Sequence, residues 1–266
     1  MREECAQNIL PRDHNPSPVQ KDASHVRKGA HLAYQIAVAR GNMYRFLSTA
    51  YLRPPGRTLV RKLVDENFLE ELSSLFSEEM VAGLREFASS GNPGKELASL
   101  RQEYMDLFAV PTGRSVTPFE DVYRGKRPDQ QERGPLMGER AIAVRRAYRE
   151  AGAEMNPACK ELPTHIGVEI SFMSFLCGRE AAALANGEGN AKPGQKETRD
   201  TDPIRFRELQ VRFLQGHLIP WFPQLSRLIQ ANATTQFYPS LALITEDFLA
   251  RDMASLSGAI LFEENR

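Results

Sequence analysis

The chain has 266 residues with 34 basic and 34 acidic side chains, so its formal charge is zero and no global field draws it to nucleic acid or anionic lipid. A hydrophobic content of 41% is enough for a globular core, and one domain of this size buries roughly three quarters of its unfolded surface. No stretch reaches the ~18 apolar residues of a membrane span, and the opening thirty or so residues lack the continuous apolar segment of a signal peptide, which predicts a cytoplasmic protein without direct membrane insertion.

Residues 1 to 28 mix Pro, Asn, Asp, Ser and Lys without periodicity, the composition of a disordered tail. From His31 the pattern changes, and residues 29 to 266 read as a single all-helical domain. Leu32, Ile36, Ala39, Met43, Phe46, Leu47, Ala50 and Tyr51 recur at helical steps up to Pro54-Pro55-Gly56. Leu59, Leu63, Phe68, Leu72 and Leu75 continue that spacing, and Ser77 before Glu78 and Glu79 reads as the N-cap of a helix through Phe87. The sequence SSGNPG breaks it. Leu97, Leu100, Tyr104, Leu107 and Phe108 form the next stripe, followed by a loop from Val110 to Gly134, long enough to be functional or disordered.

Met137, Ala141, Val144 and Tyr148 share one side of a helix that Gly152 ends as its C-prime residue. The stretch ELPTHIGVEISFMSFLCGREAAALA is the most apolar helical pattern, which predicts a central position. A polar, glycine-containing linker at about 187 to 202 reads as mobile. Asp202-Pro203 then opens a helix as N-cap and N1, and two more helices follow, the last carrying Leu241, Ile244 and Phe248 inward. No period-two run bounded by turns and no repeat is visible. The fold expected is all-α, a compact bundle of about eight to ten helices.

Several patterns bear on chemistry. Cys5, Cys159 and Cys177 lack CxxC spacing and read as buried or idle thiols. GNAKPGQKET imitates a phosphate loop, but its lysine follows Gln195 and no strand precedes it, so no nucleotide cofactor is expected. Glu161, His165 and Glu169 are four residues apart and could line one helical face as metal ligands, the basis of an alternative reading as a helical metal-carboxylate enzyme. The competing readings are helix-start acids with His165 as a hydrogen-bonded linchpin, and partner binding. Trp221, the single tryptophan, reads as core, and so do Tyr104 and Phe108 by their spacing. TPFEDVYRG differs: Phe119, Glu120 and Tyr123 stand between a proline and a glycine in a long loop, which is where binding residues concentrate.

Three segments resemble, in order, the TorD/DmsD/NarJ superfamily of redox-enzyme maturation chaperones: EYMDLFAVPTGRSVTPFEDVYRG, the stretch from Leu136 to Leu176, and FLQGHLIPWFPQLSRLIQANATTQFYPSLALITEDFL. The resemblance implies an all-helical, non-enzymatic protein without a resident cofactor. Its implied partner is the precursor of a molybdopterin-enzyme catalytic subunit with its twin-arginine leader peptide. The family's Pro-aromatic loop falls on Pro118, Phe119, Glu120, Asp121 and Tyr123, and its Glu-Pro-x-Asp-His pattern on Glu161, Pro163 and His165, with Thr164 where Asp is usual. Tyr104 and Phe108 belong to the first of these segments and join the implied partner-binding set. A groove for such a leader needs carboxylates for guanidinium groups beside apolar walls, so Phe119 and Tyr123 are expected as walls, and Glu120, Asp121 or Glu161 as arginine acceptors. The linker before Pro203 would also permit exchange of helices between two copies, a homodimer.

Overall fold

A computed structural model describes residues 9–11, 28–89, 93–111, 113–124, 134–186 and 202–264. Cys5, the GNAKPGQKET stretch and most of the expected tail and linker lie outside them.

The first helix, α1 (Lys28–Leu52), buries Phe46, Leu47, Ala50 and Tyr51 of the expected stripe and half-buries Met43, but Leu32, Ile36 and Ala39 are exposed, and Ala37 and Tyr44 take the inward positions instead. The apolar pattern that follows is two helices rather than one, α2 (Arg57–Leu63) and α3 (Glu66–Leu75). Asp65 causes the break: its backbone is extended and its side chain accepts from Asn67 N at 3.1 Å, restarting the helix as an N-cap. Next come α4 (Glu78–Ser89), with two acids in its first turn, and α5 (Pro93–Tyr104), which runs into a π-turn at Met105–Ala109.

The expected long loop contains a short helix, α6 (Glu120–Arg124). Then α7 (Glu139–Glu150) ends through Gly152, whose φ of 70° is the left-handed conformation expected of a C-prime glycine. The expectation of no strand does not hold. A strand β1 (Ile9–Pro11), inside the presumed tail, pairs antiparallel with β2 (Ala153–Met155), Ile9 opposite Met155. Three-residue strands carry too little period-two pattern to be visible in sequence.

The apolar α8 (Ile166–Asn186) occupies the centre, as expected. It packs antiparallel on α1 at two glycines. A Cβ on Gly167 would lie 2.4 Å from Leu52 Cγ, and one on Gly41 3.2 Å from Cys177 Cβ. Ser48 and Ser174 hydroxyls donate across the same seam to Gly167 O and Gly41 O, at 2.8 and 2.9 Å. Tyr148 and Phe213 pack their rings against Phe172, tilted and edge-on, with centroids 4.5 and 4.8 Å away. Helix α9 (Pro203–Phe213) is capped by Asp202, which accepts from Ile204 N, and passes through a π-turn at Leu214–Leu218 into α10 (Phe222–Asn232) and α11 (Phe237–Glu264). The turn before α11 is held by Glu103, whose Oε1 accepts from Thr234 N and Thr235 N, both at 2.7 Å. The architecture is all-α, and among the described residues no helix is long and apolar enough to cross a membrane.

A buried polar knot ties four helices at one end of the molecule. Arg40 of α1 bonds Glu180 of α8 at 3.0 Å and also contacts Gln210 of α9 and Asp252 of α11. Arg207 adds a second guanidinium to Glu180 at 2.7 Å, and Tyr44 donates to Asp252 at 2.5 Å. Cys177 sits inside this knot with its thiol on Gln210, and burial pushes its pKa up, the inert behaviour expected of it.

Candidate functional site: two motif segments and the polar hub beneath them

The two stretches singled out in the sequence, 117–124 and 161–165, meet in space. Phe119 and His165 form an isolated antiparallel bridge. Glu120 N donates to Thr164 O at 2.9 Å and Ile166 N to Pro118 O at 2.8 Å. Each stretch leads directly into a helix, α6 and α8, so the bridge fixes the two helix starts against each other.

From this bridge the charged side chains turn inward, opposite to the expectation that they face a client. Glu120 and Asp121 are both fully buried. Glu120 Oε1 accepts from Arg124 one turn on, at 2.7 Å, and its Oε2 lies 2.9 Å from His217 Nδ1. Arg124 also donates to Gly216 O in the π-turn after α9. The wider turn at Leu214–Leu218 brings His217 and the Gly216 carbonyl to α6. Asp121 Oδ2 accepts from the Thr164 hydroxyl at 2.8 Å, while its Oδ1 has no donor. Thr164, the departure from the family's usual Asp, is thus the donor that partners this carboxylate.

Glu169 lies one turn into α8, fully buried, and its Oε2 accepts from Trp221 Nε1 at 3.2 Å. Burial above all, then the negative charge of Glu120, holds Glu169 well above the usual carboxylate range, with only the Trp221 bond pulling the other way. Its Oε1 meets no conventional donor, as suits a protonated carboxyl beside a carboxylate. Tyr123 stacks on Trp221 with ring centroids 5.2 Å apart. Trp221 is therefore core, as expected, and also the polar contact of Glu169.

His165 is buried, its ring edge-on to Phe119 at 5.3 Å, and Nδ1 accepts from Gly167 N at 3.0 Å. That bond fixes the tautomer with the proton on Nε2, and burial pushes its pKa down to about 3. His165 is the hydrogen-bonded linchpin of the alternatives weighed. Pro163 is buried, its carbonyl accepting from Tyr148 OH at 2.9 Å. Glu161 is exposed. Glu161 and His165 both precede α8, so the three groups Glu161, His165 and Glu169 do not share a helical face. Among the described residues no group of three or more His, Cys, Asp or Glu could hold a metal ion.

Tyr104 and Phe108 are not part of the hub. They belong to an aromatic cluster with Tyr51 and Tyr238, Tyr104 OH donating to Tyr51 O at 3.1 Å. Phe108, Phe119 and Tyr123 are half-buried, whereas Tyr104 is in the core. Sequence reasoning missed Arg124 and His217. A Glu four residues before an Arg is the helical pairing signal, but only once 120–124 is read as helix; nothing local announces His217.

An apolar depression lies elsewhere, a groove of about 670 Å³ between α1, α2 and α3. Met43, Phe46, Leu59, Phe68, Leu72 and Leu75 form its walls, with Glu71 and Lys62 among the lining residues. The Lys62 ammonium lies 4.5 Å from the centre of the Phe68 ring, and burial lowers its pKa.

Residues 72–227 match the family model described as nitrate reductase delta subunit. The chain is 27% identical over 184 residues to the chlorate reductase assembly chaperone protein of Ideonella dechloratans, covering 68% of this chain and 85% of that protein. It is 28% identical over 163 residues to the selenate reductase assembly chaperone protein of Thauera selenatis, covering 60% and 74%. To the chaperone protein TorD of Shewanella pealeana it is 21% identical over 222 residues, covering 80% and 87%. These names are those of chaperones and not of catalysts, in line with the expected non-enzymatic role. With more than half its length matched, the chain belongs to the nitrate reductase delta subunit family, which includes the TorD-like assembly chaperones.

Proposed function

We propose that this protein is a cytoplasmic assembly chaperone for the catalytic subunit of a molybdopterin-dependent reductase. It binds the apoprotein's twin-arginine leader and delays export or assembly until the cofactor is inserted. The observation that carries this reading is the apolar groove between α1, α2 and α3, in a chain whose relatives are named as assembly chaperones for chlorate, selenate and perchlorate reductases. A leader is an arginine pair followed by an apolar stretch, and such a segment needs apolar walls with carboxylates within reach. The groove offers six apolar side chains. Glu71 in its wall is a carboxylate available to a guanidinium group. Glu120, Asp121, His165 and Trp221 act beneath the surface, holding α6, α8 and the turn before α10 in one arrangement.

Fluorescence anisotropy with a synthetic Arg-Arg leader peptide tests the reading. Leu75→Glu, at an exposed groove residue, is expected to weaken binding about tenfold, and Glu71→Lys to remove the preference for Arg-Arg over Gln-Gln leaders. Affinity unchanged in both variants overturns the groove as the leader site.

A further inference from the structure

Helix α7 carries a charge pattern that the leader reading does not use. Its sequence ERAIAVRRAYRE places four arginines on twelve residues. Arg145, Arg146 and Arg149 are exposed. Among the described residues none of Arg140, Arg145, Arg146 and Arg149 has a carboxylate partner; Arg149 only reaches Arg145 O, at 3.4 Å. Glu150, the acid at that end of the helix, is already taken by Arg212 at 2.7 Å, and its carbonyl by Arg205. In a chain of zero net charge this is a local excess of cations.

Arg145 and Arg149 also flank a groove of about 370 Å³ between α7 and β2, with Tyr148 as its floor and Ala153, Glu154 and Met155 along its far side. Ile142, one turn before Arg145 and Arg146, is 58% exposed, and Leu136 and Met137 at the start of the helix are 49% and 45% exposed. The patch is therefore cationic with an apolar margin.

We propose that this groove docks an extended acidic segment of a protein partner, a surface distinct from the leader groove. Residues four apart on a helix stand roughly 5–6 Å apart at Cβ, and side chains two apart on an extended chain are separated by about 6.7 Å. Two carboxylates in a Glu-x-Glu arrangement thus reach Arg145 and Arg149 together, and each guanidinium can take one bidentately. An apolar residue two positions beyond one of the acids, on the same face of the extended segment, meets Ile142. A polyanion such as nucleic acid fits less well. Glu154 stands in the groove wall and Glu139 on the same helix; a continuous row of phosphates cannot avoid them, whereas a Glu-x-Glu segment places its acids only opposite Arg145 and Arg149 and can set an uncharged residue against Glu154.

Fluorescence anisotropy of three labelled probes on the full chain tests the proposal: an alternating Glu–Leu peptide, an alternating Lys–Leu peptide and single-stranded oligothymidine. The Glu–Leu peptide should bind the wild type and weaken with salt. Arg145→Glu with Arg149→Glu should weaken it by about tenfold or more and create affinity for the Lys–Leu peptide. Both side chains are exposed, so the thermal midpoint should hold; should it fall, Arg145→Ala with Arg149→Ala gives the same comparison without repulsion. The proposal is overturned by no binding of the Glu–Leu peptide, by equal affinity in wild type and variants, or by oligothymidine binding as tightly as the peptide. Because the Arg-Arg leader probe uses another groove, its affinity should be the same in these variants, which separates failure here from failure of the leader reading.

Discussion

Replacing Thr164 by valine removes one hydroxyl and almost no volume, which isolates the role of the residue that departs from its family's pattern. Thr164 Oγ1 is the donor to Asp121 Oδ2 at 2.8 Å, both side chains are fully inaccessible, and Asp121 Oδ1 already lacks a donor. In Thr164→Val the Asp121 side chain therefore has no hydrogen-bond donor. A hydrogen bond to a charged group contributes about 1.5–3 kcal/mol, and an orphaned buried charge puts the loss at the upper end, about 3 kcal/mol. For a chain of this size that lowers the thermal midpoint by roughly 6–12 °C. Urea unfolding followed by circular dichroism measures it directly. Thr164→Asp, the usual family residue, should also destabilise, because it sets a second carboxyl against Asp121. That loss should largely disappear in the double variant with Asp121→Asn. A Thr164→Val protein within about 0.5 kcal/mol of wild type would refute the argument that Thr164 satisfies Asp121.

Two further outcomes follow from the packing and the hub. Gly83→Ala should cost about 3 kcal/mol in urea unfolding, because the added Cβ would lie 2.1 Å from Gln236 O, a backbone atom at the start of α11 that cannot yield as a flexible side chain would; a neutral substitution would mean that α4 and α11 are not seated as described. Glu169→Gln should change the pH profile of stability. The folded protein holds a proton on Glu169 that the unfolded chain, titrating near 4.5, releases, so wild-type stability declines as pH rises through the folded pKa. The amide has no proton to lose and can still accept from Trp221. The variant should gain on the wild type as the pH rises above 4.5, and parallel urea midpoints would contradict the assignment.

Sequence periodicity revealed the long helices because each has enough turns to repeat its stripe: Phe46, Leu47, Ala50 and Tyr51 show it on α1, though the first half of that helix buries Ala37 and Tyr44 rather than Leu32, Ile36 and Ala39, and Asp202-Pro203 marks the start of α9 by its capping chemistry. It failed where structure depends on distant partners. The helix 120–124 is under two turns long, so the flanking proline and glycine dominated and the stretch read as loop. Glu120 and Asp121 read as client-facing because they stood in an apparent loop and a groove for an arginine leader needs carboxylates; the partners that bury them are His217, 97 residues away, and Thr164, 43 away. The strand pair joins residues 9–11 to 153–155, a separation at which local pattern carries no information. Glu161, His165 and Glu169 looked like one helical face only on the assumption that the helix began at Glu161. Pro163 and the bridge to Phe119 delay it to Ile166.

The inward turn of the motif changes what its pattern means. A buried carboxylate costs several kcal/mol in desolvation and returns it only when fully partnered, so a cluster of three acids is an expensive way to fill a core. Here the cluster does what an apolar core cannot. It admits one arrangement of α6, α8 and the turn carrying His217, because any other would strand Glu120 without Arg124 and His217, or Asp121 without Thr164. The Arg40 knot does the same at the other end for α1, α8, α9 and α11. The two surfaces proposed to meet a partner, the α1–α3 groove and the α7 arginines, are lined by ordinary apolar and charged residues with no local signature. Substitutions at Glu120, Asp121, Thr164 and His165 should therefore reduce partner binding through the scaffold, with stability falling alongside affinity. Substitutions at Leu75 or Arg149 should reduce affinity alone, and this difference separates residues that hold the fold from residues that touch the client.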